Sequence, residues 1–427
     1  MIVHRRYARR LAYANGAIWA LGNGLASTTL VIYLAFELEA PALGLGIGLL
    51  VAAPQLAGTA RIGAGAVIGR LADRKRFCLA CYLLSGIVLM ALPLVAAPGV
   101  LPSPTASLSA LVGCWCVYHL LEYLGTIGLW SWLADLVPRR VRGRFLGRRQ
   151  RWMLVGQIVA MVAAGLFVWY WKNHYPSRPA WLAYALLAEV GAALMLAAVL
   201  PLASMPGLSP RSRAKTTTPL RAMLAPLADT RFLRLVLFGC WVSFVNGLTQ
   251  SAQYHYPIEV LGLGLVTMLL LRTGMRCGQV VVSPWMGRLA DRWGNRPVIA
   301  GSLLLVATGP LFFLAATPRQ WWWFVGAWVV WIAYAGINVA LPNLLLRLSP
   351  RAENAPHIAT YFAATGLCYA AGTILGGAAL DHLGGQTFAI LGYATRLDFY
   401  QYSFLLGWLA RSLGVVLLFS AVVERDR

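Results

Sequence analysis

Apolar residues in this chain come in long runs, set apart by short stretches where arginine, proline and glycine gather. Twelve runs stand out: 11–36, 44–68, 77–97, 108–134, 152–171, 180–202, 233–256, 262–286, 298–317, 321–346, 358–380 and 402–423. A bilayer core about 30 Å thick is crossed by about 20 apolar residues of helix. Backbone groups in hydrocarbon must be satisfied within the segment, so runs of this kind predict helices. The expected fold class is all-α integral membrane, with twelve transmembrane helices.

Composition agrees. Of 427 residues, 59% are apolar and 12% charged, against about 25% charged in a soluble domain. That excludes a soluble enzyme, a disordered chain and a disulfide-rich secreted module. The net charge of +22 would by itself suggest nucleic acid. Its distribution says otherwise. With a cytoplasmic N-terminus, the segments on that face sum to +21, those on the opposite face to −1, and charges within the runs to +2. This is the positive-inside pattern, which places both termini in the cytoplasm and leaves no case for nucleic acid. The first run is too long for a cleavable signal peptide and lacks a small-residue cleavage site. Cys78-x-x-Cys81 has metal-like spacing, but no second pair or histidine completes it. Its cysteines read as small buried side chains, and no metal or cofactor is expected. Trp169-Tyr170-Trp171 and Trp321-Trp322-Trp323 fall at the external boundary, as an aromatic belt would.

The two halves repeat each other. Leu43-Gly44-Leu45-Gly46 recurs at 261–264 and Gly69-Arg70-Leu71-Ala72-Asp73-Arg74 at 287–292, both offset by 218. Asn23-Gly24-Leu25 recurs at 246–248. This divides the chain into a six-helix half over 1–202, a Pro- and Arg-bearing cytoplasmic linker over 203–231, and a second six-helix half over 232–427. Six spans per half make the repeats parallel, related by pseudo-twofold symmetry about the membrane normal.

The repeated Gly-x-Leu-Ala-Asp-Arg loop resembles the signature of the major facilitator superfamily. The second copy, Gly287 to Arg296, carries the fuller pattern with Gly294; the first has Arg76 in that place, which predicts an altered turn. Asp135-Leu136-Val137-Pro138 with Arg142-Gly143 is similar to the family's junction between spans four and five. The resemblance implies the major facilitator fold and a set of gating residues: Gly69, Asp73, Arg74, Asp135, Arg142, Gly287, Asp291 and Arg292. In it Asp73 would oppose the start of the eleventh span, and Arg74 would pair with Asp135.

Charges inside apolar runs are costly and default to functional candidates. At 1.5 Å per residue, Arg61 lies roughly 12 Å from the cytoplasmic end, Arg276 and Arg272 roughly 16 and 22 Å, and Glu122, with His119 a turn away, roughly 20 Å. Arg272 and Arg276 share a helix face. Asn23 and Asn246 lie at equivalent depths, and with Gln250, Gln253, Gln279 and Asn338 they are neutral candidates for substrate contact or for helix-to-helix bonding. The resemblance implies that Arg61, Glu122, Arg272 and Arg276 can face a central cavity, where paired guanidinium groups suit an oxyanion. A salt bridge from Arg61 or Arg276 to Glu122 is the structural alternative. Glu189 and Arg411, in spans six and twelve, read as structural.

No catalytic or nucleotide-binding motif is present, so no enzyme is expected. The reading is a secondary active transporter of a small solute, with an organic or inorganic anion named first, working by rocker-switch alternating access. The alternative is a proton-coupled exporter of drugs or other amphiphiles, weakened because His119–Gly128 holds no arginine and 152–171 no proline. A non-transporting membrane protein of the same fold stands behind both. The expected partners are the small-molecule substrate, a coupling ion such as H+, and the lipid bilayer, with a monomer as the working unit. The Arg-over-Lys preference and Ala/Leu/Gly richness suggest a bacterial inner membrane.

Overall fold

The computed structural model describes residues 2–60, 73–136, 142–207, 225–349, 355–389 and 396–421. Among them, eleven helices are long and apolar enough to cross a membrane; the apolar helix Leu43–Thr59 is shorter. By contacts the chain forms two compact units: residues 1–43, 63–219 and 265–270 make unit 1; residues 44–62, 220–264 and 271–427 make unit 2.

In unit 1 the first apolar run is two helices. α1 (Ile2–Leu25) ends directly after the Asn-Gly-Leu repeat, and α2 (Thr28–Phe36) restarts under Ser27, whose hydroxyl accepts from Leu30 N at 3.4 Å. α3 (Leu43–Thr59) opens on the Leu-Gly-Leu-Gly repeat and belongs to unit 2. α4 is Arg74–Val95, α5 Pro104–Leu136, α6 Arg142–His174, α7 Ala180–Ala197 and α8 Val199–Ala203. α5 and α6 have 33 residues each, roughly 50 Å of helix, and so outrun a hydrocarbon core. The α6 helix begins ten residues before the apolar run that marks it.

Ala8, Ala12, Cys78, Tyr82, Trp132, Leu133, Phe145 and Leu202 form a core cluster of unit 1. Lys75 closes it, its Nζ donating at 2.7 Å to both Ala203 O and Met205 O at the end of α8, where a cation meets the negative end of a helix. Cys78 and Cys81 are buried over Gly128 and Gly125 of α5; a Cβ at those glycines would stand 3.4 and 3.2 Å from the cysteine Cβ atoms.

Unit 2 repeats the broken first helix. α9 (Thr230–Leu248) again ends on Asn-Gly-Leu, followed by α10 (Gln250–His255) and a π turn over Tyr256–Val260. α11 is Leu265–Trp293, α12 Asn295–Ala307, α13 Gly309–Ala315, α14 Trp323–Val330, α15 Tyr334–Leu348 and α16 Ala355–Leu383. β1 (Thr387–Ala389) and β2 (Arg396–Asp398) pair antiparallel, with Phe388 opposite Leu397, before α17 (Phe399–Ala421). This hairpin is an addition to the all-α expectation; three-residue strands carry too little alternation to stand out in a sequence. Phe232, Leu235, Val298, Leu303, Leu344, Tyr361 and Leu418 lie in the core. Leu94, Leu166 and Leu200 of unit 1 and Val281, Leu409 and Val416 of unit 2 are each more than half exposed, as side chains meeting lipid are.

The signature loops differ as Arg76 predicts. In the second copy α11 runs through Asp291 and Arg292 and turns at Gly294, whose φ is +90°. In the first, Asp73 is the N-cap of α4 and Arg76 lies inside the helix.

Candidate functional site

The break in the seventh span organises the site. Gly247 lies against Tyr369 O, Thr373 N and Gly372 of α16, so a side chain there would collide with backbone. That close approach brings Thr249, at the break, into the helix bundle. Its buried Oγ1 accepts from Gln253 Nε2 at 2.8 Å and from Arg411 Nη2 at 2.6 Å. Gln250 Oε1 accepts from the Tyr369 hydroxyl at 3.2 Å. Asn246 is hydrogen-bonded to the Tyr334 hydroxyl, and its own Oδ1 is buried without a partner.

Cations surround these tyrosines. Tyr369 lies within electrostatic range of Arg272, Arg411, Tyr254 and Tyr334. Arg276 lies near Arg272 and Tyr254, and its Nε is buried with no acceptor. Arg272, Arg276, Asn246 and Gln250 are thus brought into one cluster, each half-buried. Gln279 is near a second interruption and is committed there: Nε2 donates to Trp331 O at 3.1 Å, where a 3-10 turn over Trp331–Ala333 interrupts the tenth span. Asn338 is exposed on α15.

Unit 1 holds the counterpart. Asn23 is hydrogen-bonded to Tyr118, as Asn246 is to Tyr334. Glu122 is buried and accepts from Thr126 Oγ1 at 2.9 Å, with Tyr82 sharing that hydroxyl at 2.9 Å. His119 is buried edge-on to Trp115, ring centroids 4.4 Å apart, and neither of its nitrogens has a partner.

Among the expected gating residues, Asp73 accepts from Arg76 N at 3.0 Å and pairs with Arg76 Nε at 3.1 Å. Arg74 is the half-buried first residue of α4, Gly287 has Val339 Cγ1 as its neighbour, and Asp291 and Arg292 are exposed. Arg61 and Gly69, and the side chains of Asp135 and Arg142, lie outside the described residues.

A family model described as "MFS/sugar transport protein" matches residues 64–346, and one described as "Major Facilitator Superfamily" matches residues 270–423. The chain belongs to the major facilitator superfamily. A curated relative, the class G tetracycline resistance protein of Vibrio anguillarum, is 33% identical over 107 residues, 25% of this chain and 26% of that protein. The matched stretch thus spans about a quarter of that relative. Among solved structures, a mutant of the nucleoside transporter NupG superposes with a TM-score of 0.68 at 14% identity, covering 97% of this chain and 99% of that one. A D-xylose-proton symporter also gives 0.68 at 14% identity, covering 98% of each chain. At such identities the likeness is one of fold. Members of this superfamily are transporters and not enzymes.

Sequence reasoning missed one arginine, Arg149, and read a second, Arg411, as structural without its partner. Arg149 is 6% exposed, donating to Asn15 Oδ1 at 3.2 Å and lying 5.3 Å from the Trp130 ring; its place before the apolar run put it among topological charges. Arg411, assigned to a peripheral span, is 2% exposed and reaches the seventh-span break.

Proposed function

We propose that the protein is a secondary transporter that moves a small, negatively charged solute across a bacterial plasma membrane by alternating access, with both termini cytoplasmic. The observation that carries this reading is the arginine cluster of unit 2. Among the described residues, the groups shown acting on Arg276 are Arg272 and Tyr254. A guanidinium at span depth without a carboxylate acting on it favours a carboxylate, phosphate or other oxyanion as ligand, because its fork gives two parallel hydrogen bonds to such a group. Asn246 and Gln250 supply neutral contacts beside it.

The competing reading is a proton-coupled exporter of drugs or other amphiphiles. The tetracycline-resistance match supports it, and buried Glu122 is the carboxyl it would use.

Uptake into proteoliposomes, over a panel of organic and inorganic anions, sugars, nucleosides and lipophilic cations, tests both. An anion should show saturable, gradient-dependent flux. Arg276→Ala should raise its KM at least about tenfold, since a hydrogen bond to a charged group contributes about 1.5–3 kcal/mol. A parent protein that carries solely neutral or cationic solutes defeats the anion reading, and no gradient-dependent flux for any solute defeats transport.

A further inference from the structure

Arg411 is 2% exposed, in α17, and holds a full charge away from water. Its Nη2 donates to Thr249 Oγ1, while Nε and Nη1 are buried with no acceptor. The groups acting on it electrostatically are Tyr334 and Tyr369. A buried, unpaired guanidinium is among the most unfavourable arrangements a protein interior can hold, and is ordinarily relieved by a carboxylate or a bound anion. No described residue is shown to supply that carboxylate.

The neighbours have the chemistry of an anion cage. Thr249 spends its acceptor capacity on Arg411 and Gln253, which fixes the guanidinium in place. The Tyr334 hydroxyl is hydrogen-bonded to Asn246 and lies in electrostatic range of the guanidinium. Arg272 adds positive potential at Tyr369. Two guanidinium nitrogens therefore lack an acceptor around one buried positive charge. One negative charge of small size would satisfy both of them.

We propose that Arg411 and Tyr334 form a site for a small inorganic monoanion of halide size, bound beside the buried guanidinium at the seventh-span break. The anion neutralises Arg411 and holds α15 and α17 about that break. The site does not depend on what the protein transports, and halide is a structural or regulatory ligand of it. Halides suit it because hydroxyl and guanidinium hydrogens coordinate a spherical anion without needing bidentate geometry.

The test is thermal unfolding of the full chain in neutral detergent, with chloride or bromide replacing gluconate at constant ionic strength. Wild type should show a saturable rise of roughly 3 °C, as expected of a ligand that binds the folded state. Arg411→Met should fold and lose the rise, because an apolar side chain removes the charge that needs the anion. Tyr334→Phe keeps that charge and should raise the half-saturating halide concentration several-fold, so the site can be judged even if Arg411→Met fails to fold. Arg276→Ala, aimed at the transported solute, should keep the halide response, which separates this proposal from the substrate reading. The proposal is overturned by a wild type indifferent to halide, by Arg411→Met retaining the rise, or by an unchanged half-saturation in Tyr334→Phe. A tyrosinate absorbance at neutral pH in a halide-indifferent wild type would identify a phenolate as the counter-charge instead.

Discussion

Arg149 has no carboxylate shown beside it, and three weaker contacts share the work: the Asn15 amide oxygen at 3.2 Å, the Met153 sulfur at 3.1 Å and the Trp130 ring. Asn15 in turn donates to Ala198 O at 2.9 Å, where α7 gives way to α8. The guanidinium thus ties α6 to α1, and through it to the α7–α8 junction. Arg149→Ala leaves the Asn15 oxygen buried without a partner, a loss of about 1–3 kcal/mol. Its thermal unfolding midpoint in detergent should fall clearly, and Arg149→Lys should recover part of it, since an ammonium keeps charge and a donor but not the planar fork. A midpoint unchanged in Arg149→Ala would mean that the residue is solvated. Sequence could not show this, because the apolar run begins at Trp152 and Arg149 looked like one more cytoplasmic charge. Gly294 was legible: the signature asks for a glycine, and its φ of +90° with ψ of 166° lies in a region essentially confined to glycine, which costs another residue about 1–3 kcal/mol. Gly294→Ala should lower stability by that amount.

Helix ends carry the next level of organisation. α3 starts at the Leu-Gly-Leu-Gly repeat, and its first amides point at Asp381 near the end of α16: Gly44 N donates to Oδ1 and Leu45 N to Oδ2, both at 2.7 Å. A carboxylate over two orphan amides opposes the positive end of the helix. Gly44 is needed for it, because a Cβ there would stand 2.6 Å from Asp381 Oδ1. The sequence repeat marks Gly44 and Gly262 as equivalent, yet Gly262 has a φ of +65° and no neighbour within 4 Å of a Cβ. One repeated motif therefore does two jobs, a docking surface in one half and a turn in the other, which identity of residues alone did not reveal. Asp381→Asn should weaken the cap by about 1.4 kcal/mol, a tenfold change in the local opening equilibrium. Hydrogen exchange should register it as about tenfold faster exchange at the Gly44 and Leu45 amides, with distant helices unchanged. Equal exchange in both proteins would remove the cap from the account.

Across the whole molecule the duplication was readable and its divergence was not. Three matched segments gave the repeat, and the helix breaks after Leu25 and Leu248 fall on one of them; the partners of Asn23 and Asn246, Tyr118 and Tyr334, sit outside any matched segment. The two Asn–Tyr pairs are the same device in different surroundings. Tyr118 is 1% exposed and its hydroxyl also meets the Met195 sulfur at 3.8 Å, so the phenol of the first pair is enclosed, with Glu122 in electrostatic range. Tyr334 is half-buried, with Arg411 and Tyr369 in electrostatic range of it. Enclosure suits a structural bond, whereas partial exposure beside a cation suits a group that meets solute or ion. Asn23→Ala and Tyr118→Phe should therefore lower stability by about 1 kcal/mol each, the net worth of a buried hydrogen bond, while leaving the KM of the transported solute near the parent value. Asn246→Ala should do the reverse, with stability nearly kept and KM raised severalfold. Unfolding midpoints and initial uptake rates on the same four proteins separate the two outcomes. If Asn23→Ala shifts KM as far as Asn246→Ala does, the purely structural reading of the Asn23–Tyr118 bond fails.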